Sequence, residues 1–156
     1  MYTFRDYYKN KVRLSFDIDP FSKQPKHVWV ICRYEMQWLL TDHKQRGYEF
    51  PGGKVESGES PEEAAKREVK EETGGVVQSL HYLGQYYVQG KAGDVIKNVY
   101  YADITELEKQ DTYFETNGPV TLHKIPANIK VNPRFSFIMK DDVLTYCMKS
   151  LQSITE

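Results

Sequence analysis

Apolar and polar residues alternate along this chain at two different periods, and the switches between them mark out its elements. Residues 2–10 are aromatic and charged without a clear period. Val12-Arg13-Leu14-Ser15-Phe16 alternates as a half-buried strand, and residues 17–26, with Pro20 and Pro25, read as a loop. The unbroken apolar run His27-Val28-Trp29-Val30-Ile31-Cys32 predicts a central strand, with Trp38-Leu39-Leu40-Thr41 as its hairpin partner. Residues 43–48 form a polar loop leading to Glu49-Phe50-Pro51 and a glycine pair. Further on, Val76-Val77 and residues 80–88 make a Tyr-rich strand region, 90–94 a turn, and 95–104 a second strand, together an extended hairpin. Residues 105–117 are charged and loop-like, with room for one helical turn, and 120–123 make a short strand ended by Pro126. Leu144, Cys147, Met148 and Leu151 recur at helical spacing, which predicts an amphipathic helix over 135–151.

Between the two strand regions lies a glycine-rich loop, Gly52-Gly53-Lys54-Val55-Glu56-Ser57-Gly58-Glu59, that feeds an acidic helix ending at Gly74. Ser60 is a suitable N-cap, Pro61 fits the first helical position, and Glu63 completes a capping box with Ser60. Gly74 supplies the left-handed residue that closes the helix. Glu62 with Lys66 and Glu63 with Arg67 are favourable i,i+4 pairs, as on any solvated helix. The second half breaks that rule: Glu68 and Glu72 are like charges four apart, Glu71 sits beside them, and all three crowd the negative end of the helix dipole. On a bare helix this costs roughly 1–2 kcal/mol. A divalent cation would neutralise it, and three hard oxygen donors point to Mg²⁺ or Mn²⁺. The plain alternative is an accidental acidic face.

Strands, helix, strands and helix in that order describe one domain spanning 1–156: an α/β fold with a mixed sheet and helices on both sides. The 156 residues suffice for a real hydrophobic core, and no repeat, low-complexity tract or linker interrupts them. A net charge of -1 argues against nucleic-acid binding by bulk electrostatics, though not against a local basic cleft. No apolar run is long enough to span a bilayer and the chain opens without an apolar signal region, so a cytoplasmic protein without a membrane partner is expected. Cys32 and Cys147 lack ligand spacing and read as reduced core residues. Oligomeric state is not encoded in any pattern visible here.

Gly53, Glu59, Arg67, Glu68, Val69, Glu71, Glu72 and Gly74 match, at their spacings, the box of the Nudix hydrolases, and the chain resembles that family. One position departs: Gly75 stands where the box has an aliphatic residue, with Val76 just after, which bears on helix-to-sheet packing rather than on the ligands. Phe50-Pro51-Gly52-Gly53-Lys54 is similar to the MutT-like branch, and segments 26–33, 46–56, 80–87 and 135–141 extend the likeness to bacillar members over nearly the full length. The fold this implies is a Nudix-type α/β/α sandwich around a mixed central sheet. The implied activity is Mg²⁺-dependent hydrolysis of a nucleoside diphosphate linked to another moiety. The implied substrates are nucleoside triphosphates, oxidised guanine forms among them, and 5′-triphosphorylated RNA.

The resemblance also assigns roles. Glu68, Glu71 and Glu72 would ligate the metal with the Gly52 carbonyl, Glu68 centrally, and the identity of the general base stays open. Arg67 would salt-bridge Glu59, bracing the loop and orienting Glu68; a surface pair with Glu63 is the bland alternative. Glu56 either reaches a second ion through water or is a solvated loop acid. By placement alone, Glu115 is a candidate extra ligand or base, and an exposed loop acid otherwise. Phe50, Tyr86, Phe135 and Phe137 are candidates for stacking a base, and Lys44, Lys54, Arg46 and Lys140 for phosphates, against the ordinary expectation that such aromatics are core. Three functions follow. They are a nucleotide pyrophosphohydrolase yielding monophosphate and pyrophosphate, a 5′-RNA pyrophosphohydrolase, and a non-catalytic nucleotide-binding module, which would be expected to have lost carboxylates that are all present here.

Overall fold

The chain forms β1 (Tyr2–Arg5), β2 (Lys11–Ser15), β3 (His27–Tyr34), β4 (Gln37–His43), β5 (Gly47–Glu49), β6 (Gly52–Lys54), α1 (Pro61–Thr73), β7 (Gly75–Gly90), β8 (Gly93–Leu107), β9 (Thr116–Leu122) and α2 (Asp142–Thr155). Short 3-10 turns lie at Ile129–Val131 and Phe137–Met139. This is a computed structural model, which describes residues 1–155, with side chains through Ser153. One sheet holds all nine strands, in the order β1-β2-β7-β8-β3-β4-β5, with β6 paired to β3 and β9 to β4. β3 and β8 run parallel, and the other strand pairs run antiparallel, which makes the sheet mixed.

The period-two alternation of β3 divides the core. Trp29 and Ile31 join Val143, Leu144, Cys147 and Leu151 of α2 on one face, while Val28, Val30 and Cys32 join Ala64, Ala65 and Val69 of α1 on the other. A central strand apolar on both faces needs a helix on each, so the layers are α/β/α, as expected. Both cysteines are free and buried. No described helix is long and apolar enough to cross a membrane.

Several boundaries differ from those the pattern predicts. β1 was hidden because it is a four-residue edge strand: Tyr2 and Phe4 face Tyr146 while Thr3 and Arg5 are exposed, an alternation too short to stand out beside the aromatic turn that follows. Gly47 and Tyr48, the end of the expected polar loop, pair with β4 together with Glu49 as β5. The long hairpin of β7 and β8 runs further than expected, to Leu107, and residues 108–115 contain no helical turn. The last helix starts at Asp142 rather than 135: Ser136 Oγ accepts from Ile138 N (3.2 Å) and Asp141 Oδ1 from Val143 N (2.9 Å), each ending one local turn and starting the next. Phe135 and Met139 still enter the α2-side core, and this mimics helical spacing in the sequence.

Gly75 explains its own departure from the box. A Cβ there would lie 2.9 Å from Thr73 Oγ1, 3.1 Å from Val69 Cγ1 and 3.3 Å from Ile104 Cγ2, so the space of an aliphatic side chain is already filled.

Candidate active site

The site starts from the way the glycine-rich segment is fastened to the sheet. β6 pairs antiparallel with β3, placing Gly52 opposite Trp29, Gly53 opposite Val28 and Lys54 opposite His27. A Cβ on Gly52 would stand 2.4 Å from the Val28 carbonyl oxygen, so only glycine lets the backbones approach this closely. Val30 N donates to Pro51 O (2.8 Å) and Trp29 Nε1 to Phe50 O (3.2 Å), which fixes the approach to the loop.

α1 carries the carboxylates, and both its ends are secured. The capping box is complete: Glu63 N donates to Ser60 Oγ and Ser60 N to Glu63 Oε1, each at 3.1 Å. Gly74 closes the helix at φ 76, its N–H reaching Lys70 O. The Glu72 carbonyl accepts from the hydroxyls of Thr41 (2.8 Å) on β4 and Thr116 (3.2 Å) on β9. These bonds fix the rotation of the last turn, and with it the direction of Glu68, Glu71 and Glu72.

All three carboxylates line one cavity of about 740 Å³, together with Gly52, Gly53, Lys54, Glu56 and Arg67. Glu72 is 6% exposed and accepts from Gly52 N at 3.0 Å. Burial pushes its carboxyl up to about 8; the Gly52 N–H opposes this, and Glu68 and Glu49 add to it. Burial likewise raises Glu68 to about 7, against the pull of Arg67 and with the push of Glu71 and Glu115. Arg67 donates through Nε to Glu59 Oε2 (2.7 Å), through Nη2 to Glu59 Oε1 (3.0 Å) and Lys54 O (2.9 Å), and through Nη1 to Glu68 Oε1 (2.8 Å). Its hydrogen bond to Glu59 holds the guanidinium firmly charged and pulls the Glu59 carboxyl below its usual range. Glu63 is occupied in the capping box, and Arg67 turns toward the loop rather than along the helix.

Among the described residues, no three acidic, histidine or cysteine side chains are grouped so as to hold a metal ion as they stand. Arg67 stands among these acids, since Nη1 also donates to Glu71 Oε2 (3.2 Å) and lies 3.5 Å from Glu56 Oε1. The donor set still fits a hard divalent cation: Glu68, Glu71 and Glu72 are oxygen donors on one wall, and one guanidinium is shared among four acids.

The cavity lining also contains residues that sequence reasoning passed over. His27 and Lys97 are neighbours in the parallel register of β3 and β8, and both line the cavity. Burial lowers the Lys97 ammonium and the His27 imidazole from their usual values, and Lys97 and Lys54 lower His27 further. Glu49 is 2% exposed and takes Arg46 as a bidentate partner, Nε and Nη2 each at 2.9 Å, which orients the guanidinium at the cavity wall. One signal was available: Lys97 shares its side of β8 with the core residues Val99 and Tyr101, an odd place for a lysine.

Other proposed residues are distributed unevenly. Glu115 lines the cavity with an 84% exposed side chain, 4.0 Å from His43 Nε2, on a loop held by Lys44 Nζ donating to Phe114 O (3.0 Å). Phe137 lines the cavity beside Ile138. Phe50 forms part of the wall but is 0% exposed, edge-on to Trp29 and Trp38, so it supports the site without offering a face. Tyr86 and Phe135 are enclosed in the α2-side core and cannot stack a base. Lys140 lies outside the cavity lining, its ammonium 5.4 Å from the centre of the Tyr7 ring.

A mixed sheet between two helices, with a glycine-rich loop leading to a carboxylate-bearing helix at a cavity also lined by cations, is the frame of a phosphoanhydride hydrolase. Residues 16–127 match the NUDIX domain family, and the chain belongs to it. It is 63% identical over 152 residues to the Bacillus subtilis (strain 168) protein "Putative 8-oxo-dGTP diphosphatase YtkD", covering 97% of this chain and 96% of that one. The 8-oxo-dGTP diphosphatase of Haemophilus influenzae is 69% identical over 41 residues, 26% of this chain and 30% of that one. Among solved structures, the Bacillus subtilis pyrophosphohydrolase BsRppH, crystallised as its E68A mutant, superposes with a TM-score of 0.97 at 62% identity, covering 98% of this chain and 97% of that one. The chain is accordingly a hydrolase of the Nudix family.

Proposed function

We propose that this hydrolase is a Mg²⁺-dependent nucleoside triphosphate pyrophosphohydrolase, with Mn²⁺ as an alternative ion, that takes (d)NTPs including oxidised guanine nucleotides to monophosphate and pyrophosphate. The observation that carries this reading is that one cavity is lined both by the acids Glu68, Glu71 and Glu72 and by the cations Arg46, Lys54 and Lys97. Such a lining suits a triphosphate, whose charge needs a cation held by acids and basic side chains of its own. Glu68, Glu71, Glu72 and the Gly52 carbonyl would hold the cation, with Glu56 and Glu115 at the rim for any second ion. When bound, the cation neutralises phosphate charge and activates water. Arg67 orients Glu68 by its fork between Glu59 and Glu68. The likeness to the Bacillus and Haemophilus proteins, both named for 8-oxo-dGTP diphosphatase activity, supports the oxidised-guanine substrate. A cytoplasmic setting goes with substrates of this kind.

A second reading, a 5′-RNA pyrophosphohydrolase that converts triphosphate ends to monophosphate, is favoured by room beyond the phosphates. A second cavity of about 640 Å³ shares His27, Lys54 and Glu56 with the first and adds Lys23 and Lys26. The pyrophosphohydrolase BsRppH supports it as well. A parallel Mg²⁺-dependent assay of dNTPs, NTPs, oxidised dGTP and triphosphorylated RNA tests both. Release from RNA at much lower substrate concentration would decide for the second. Unchanged turnover of every substrate by Glu68→Gln would refute the site itself.

A further inference from the structure

The turn between β1 and β2 exposes aromatic rings where a folded protein would ordinarily hide them. Tyr7 is 51% and Tyr8 56% exposed. The turn is nonetheless tightly built. Asp6 accepts from Tyr8 N (2.9 Å) and Asn10 N (2.8 Å) through Oδ1 and from Asn10 Nδ2 (3.1 Å) through Oδ2. Backbone bonds from Asp6 N to Asn10 O and from Lys9 N to Asp6 O, both 2.9 Å, close it, with Lys9 in the left-handed region at φ 65. The rings therefore stand on a fixed backbone.

They also continue the catalytic cavity. Phe137 lines that cavity, the Tyr8 ring lies 4.9 Å from the Phe137 ring, and Tyr7 meets Tyr8 edge-on at 5.2 Å. The three rings lead from the cavity wall out to solvent. Positive charge accompanies them: Lys140 Nζ sits 5.4 Å from the Tyr7 ring centre, and Arg5, Lys9 and Lys11 are exposed on the turn and its flanking strands. The one acid in that stretch, Asp6, has its carboxylate committed to the turn. Exposed rings interleaved with cations on a rigid support are what a single-stranded nucleic acid needs, because every base has a face to stack and every linkage a charge.

We infer that Tyr7 and Tyr8, with Phe137 and Lys140, form a platform that stacks a nucleobase of a 5′-triphosphorylated single-stranded RNA downstream of the hydrolysed end. The inference rests on the second reading above and routes the RNA past Phe137 rather than through the cavity of Lys23 and Lys26. A free nucleoside triphosphate has no downstream base and does not use the platform, so Tyr7 and Tyr8 select RNA ends over mononucleotides through binding.

The test compares the wild type, Tyr7→Ala/Tyr8→Ala and Tyr7→Phe/Tyr8→Phe on a triphosphorylated pentaribonucleotide and on the corresponding NTP. The alanine pair is expected to raise KM for the RNA about tenfold, the effect of removing a stacking partner, with kcat unchanged. The phenylalanine pair, which keeps the rings, is expected to retain the wild-type KM, and NTP hydrolysis is expected to be the same in all three proteins. An unchanged RNA KM in the alanine pair overturns the platform while leaving the second reading intact, and so does a parallel loss on RNA and NTP. A wild-type enzyme that cleaves the NTP but not the RNA overturns both.

Discussion

Replacing Gly53 by alanine tests the geometry of the site with a single methyl group. A Cβ there would stand 2.6 Å from Glu68 Cδ and Oε1 and 2.9 Å from Oε2. Ordinary carbon contacts begin near 3.5 Å, so the carboxylate must retreat by about 1 Å. That retreat strains or breaks its 2.8 Å bond from Arg67 Nη1 and moves the central acid off its place. Displacement on this scale costs about 100-fold in rate, and losing one electrostatic contact at a reacting centre costs about 100- to 1,000-fold. Stability, in contrast, should hold, because Gly53 has no left-handed φ and the obstacle is the end of a flexible side chain. Relief of unfolded-state entropy can even raise it by roughly 0.5 kcal/mol. Gly52→Ala is the control, since its Cβ meets the Val28 carbonyl oxygen at 2.4 Å and loosens β6 from β3, lowering stability along with activity. The assay is kcat/KM on an NTP at saturating Mg²⁺, together with the thermal midpoint. A folded Gly53→Ala enzyme with undiminished kcat/KM would refute the assignment of Glu68 to the reacting centre.

Further expectations follow from the polar contacts. Arg67→Lys keeps the charge but loses the fork that joins Glu59 to Glu68, so kcat should fall by at least about tenfold with Tm changed little; wild-type kcat would show that orientation by the guanidinium is unimportant. Gln85 is fully buried and accepts from Phe21 N (2.8 Å) and Ser22 N (3.0 Å) while donating to Ser22 O (2.8 Å), so Gln85→Leu orphans the 17–26 loop and should lower unfolding free energy in urea by about 2–4 kcal/mol. Glu68 and Glu72 have folded pKa values of about 7 and about 8, above the ordinary 4.5, so between those limits the folded cation-free protein binds more protons than the unfolded chain. Its stability should therefore fall as pH rises from 4.5 to 8, and added Mg²⁺ should restore more Tm at pH 8 than at pH 6. A cation-free Tm that rises over that interval would contradict the burial of these acids.

The site was legible where its determinants are local. Ser60, Glu63 and Gly74 bound α1 through contacts within a few residues, and the crowding of Glu68, Glu71 and Glu72 needed only helical spacing to be seen. Arg67 reaching Glu59 across eight positions was available only from the family resemblance. His27 and Lys97 were not legible, because they meet through the parallel pairing of β3 and β8, seventy positions apart, which no window of sequence reports. Tyr86 misled for the opposite reason: in a Tyr-rich strand, the face that points into the core is decided by register, and register puts Tyr86 opposite Leu14 on the buried side. Residues 2–10 looked featureless because the alternation of a four-residue edge strand is cut short by a turn held by Asp6, which carries the exposed tyrosines.

The central claim is that the carboxylates of α1 hold a divalent cation, and Mn²⁺ binding followed by electron paramagnetic resonance measures it without relying on turnover. Titrating Mn²⁺ into the wild type at pH 8 should quench the free-ion signal with saturable stoichiometry, and excess Mg²⁺ should release it. The Glu68→Gln/Glu71→Gln/Glu72→Gln protein, still folded by circular dichroism, should leave the free-ion signal undiminished at the same concentrations. Equal quenching by both proteins would place the cation elsewhere and contradict the account.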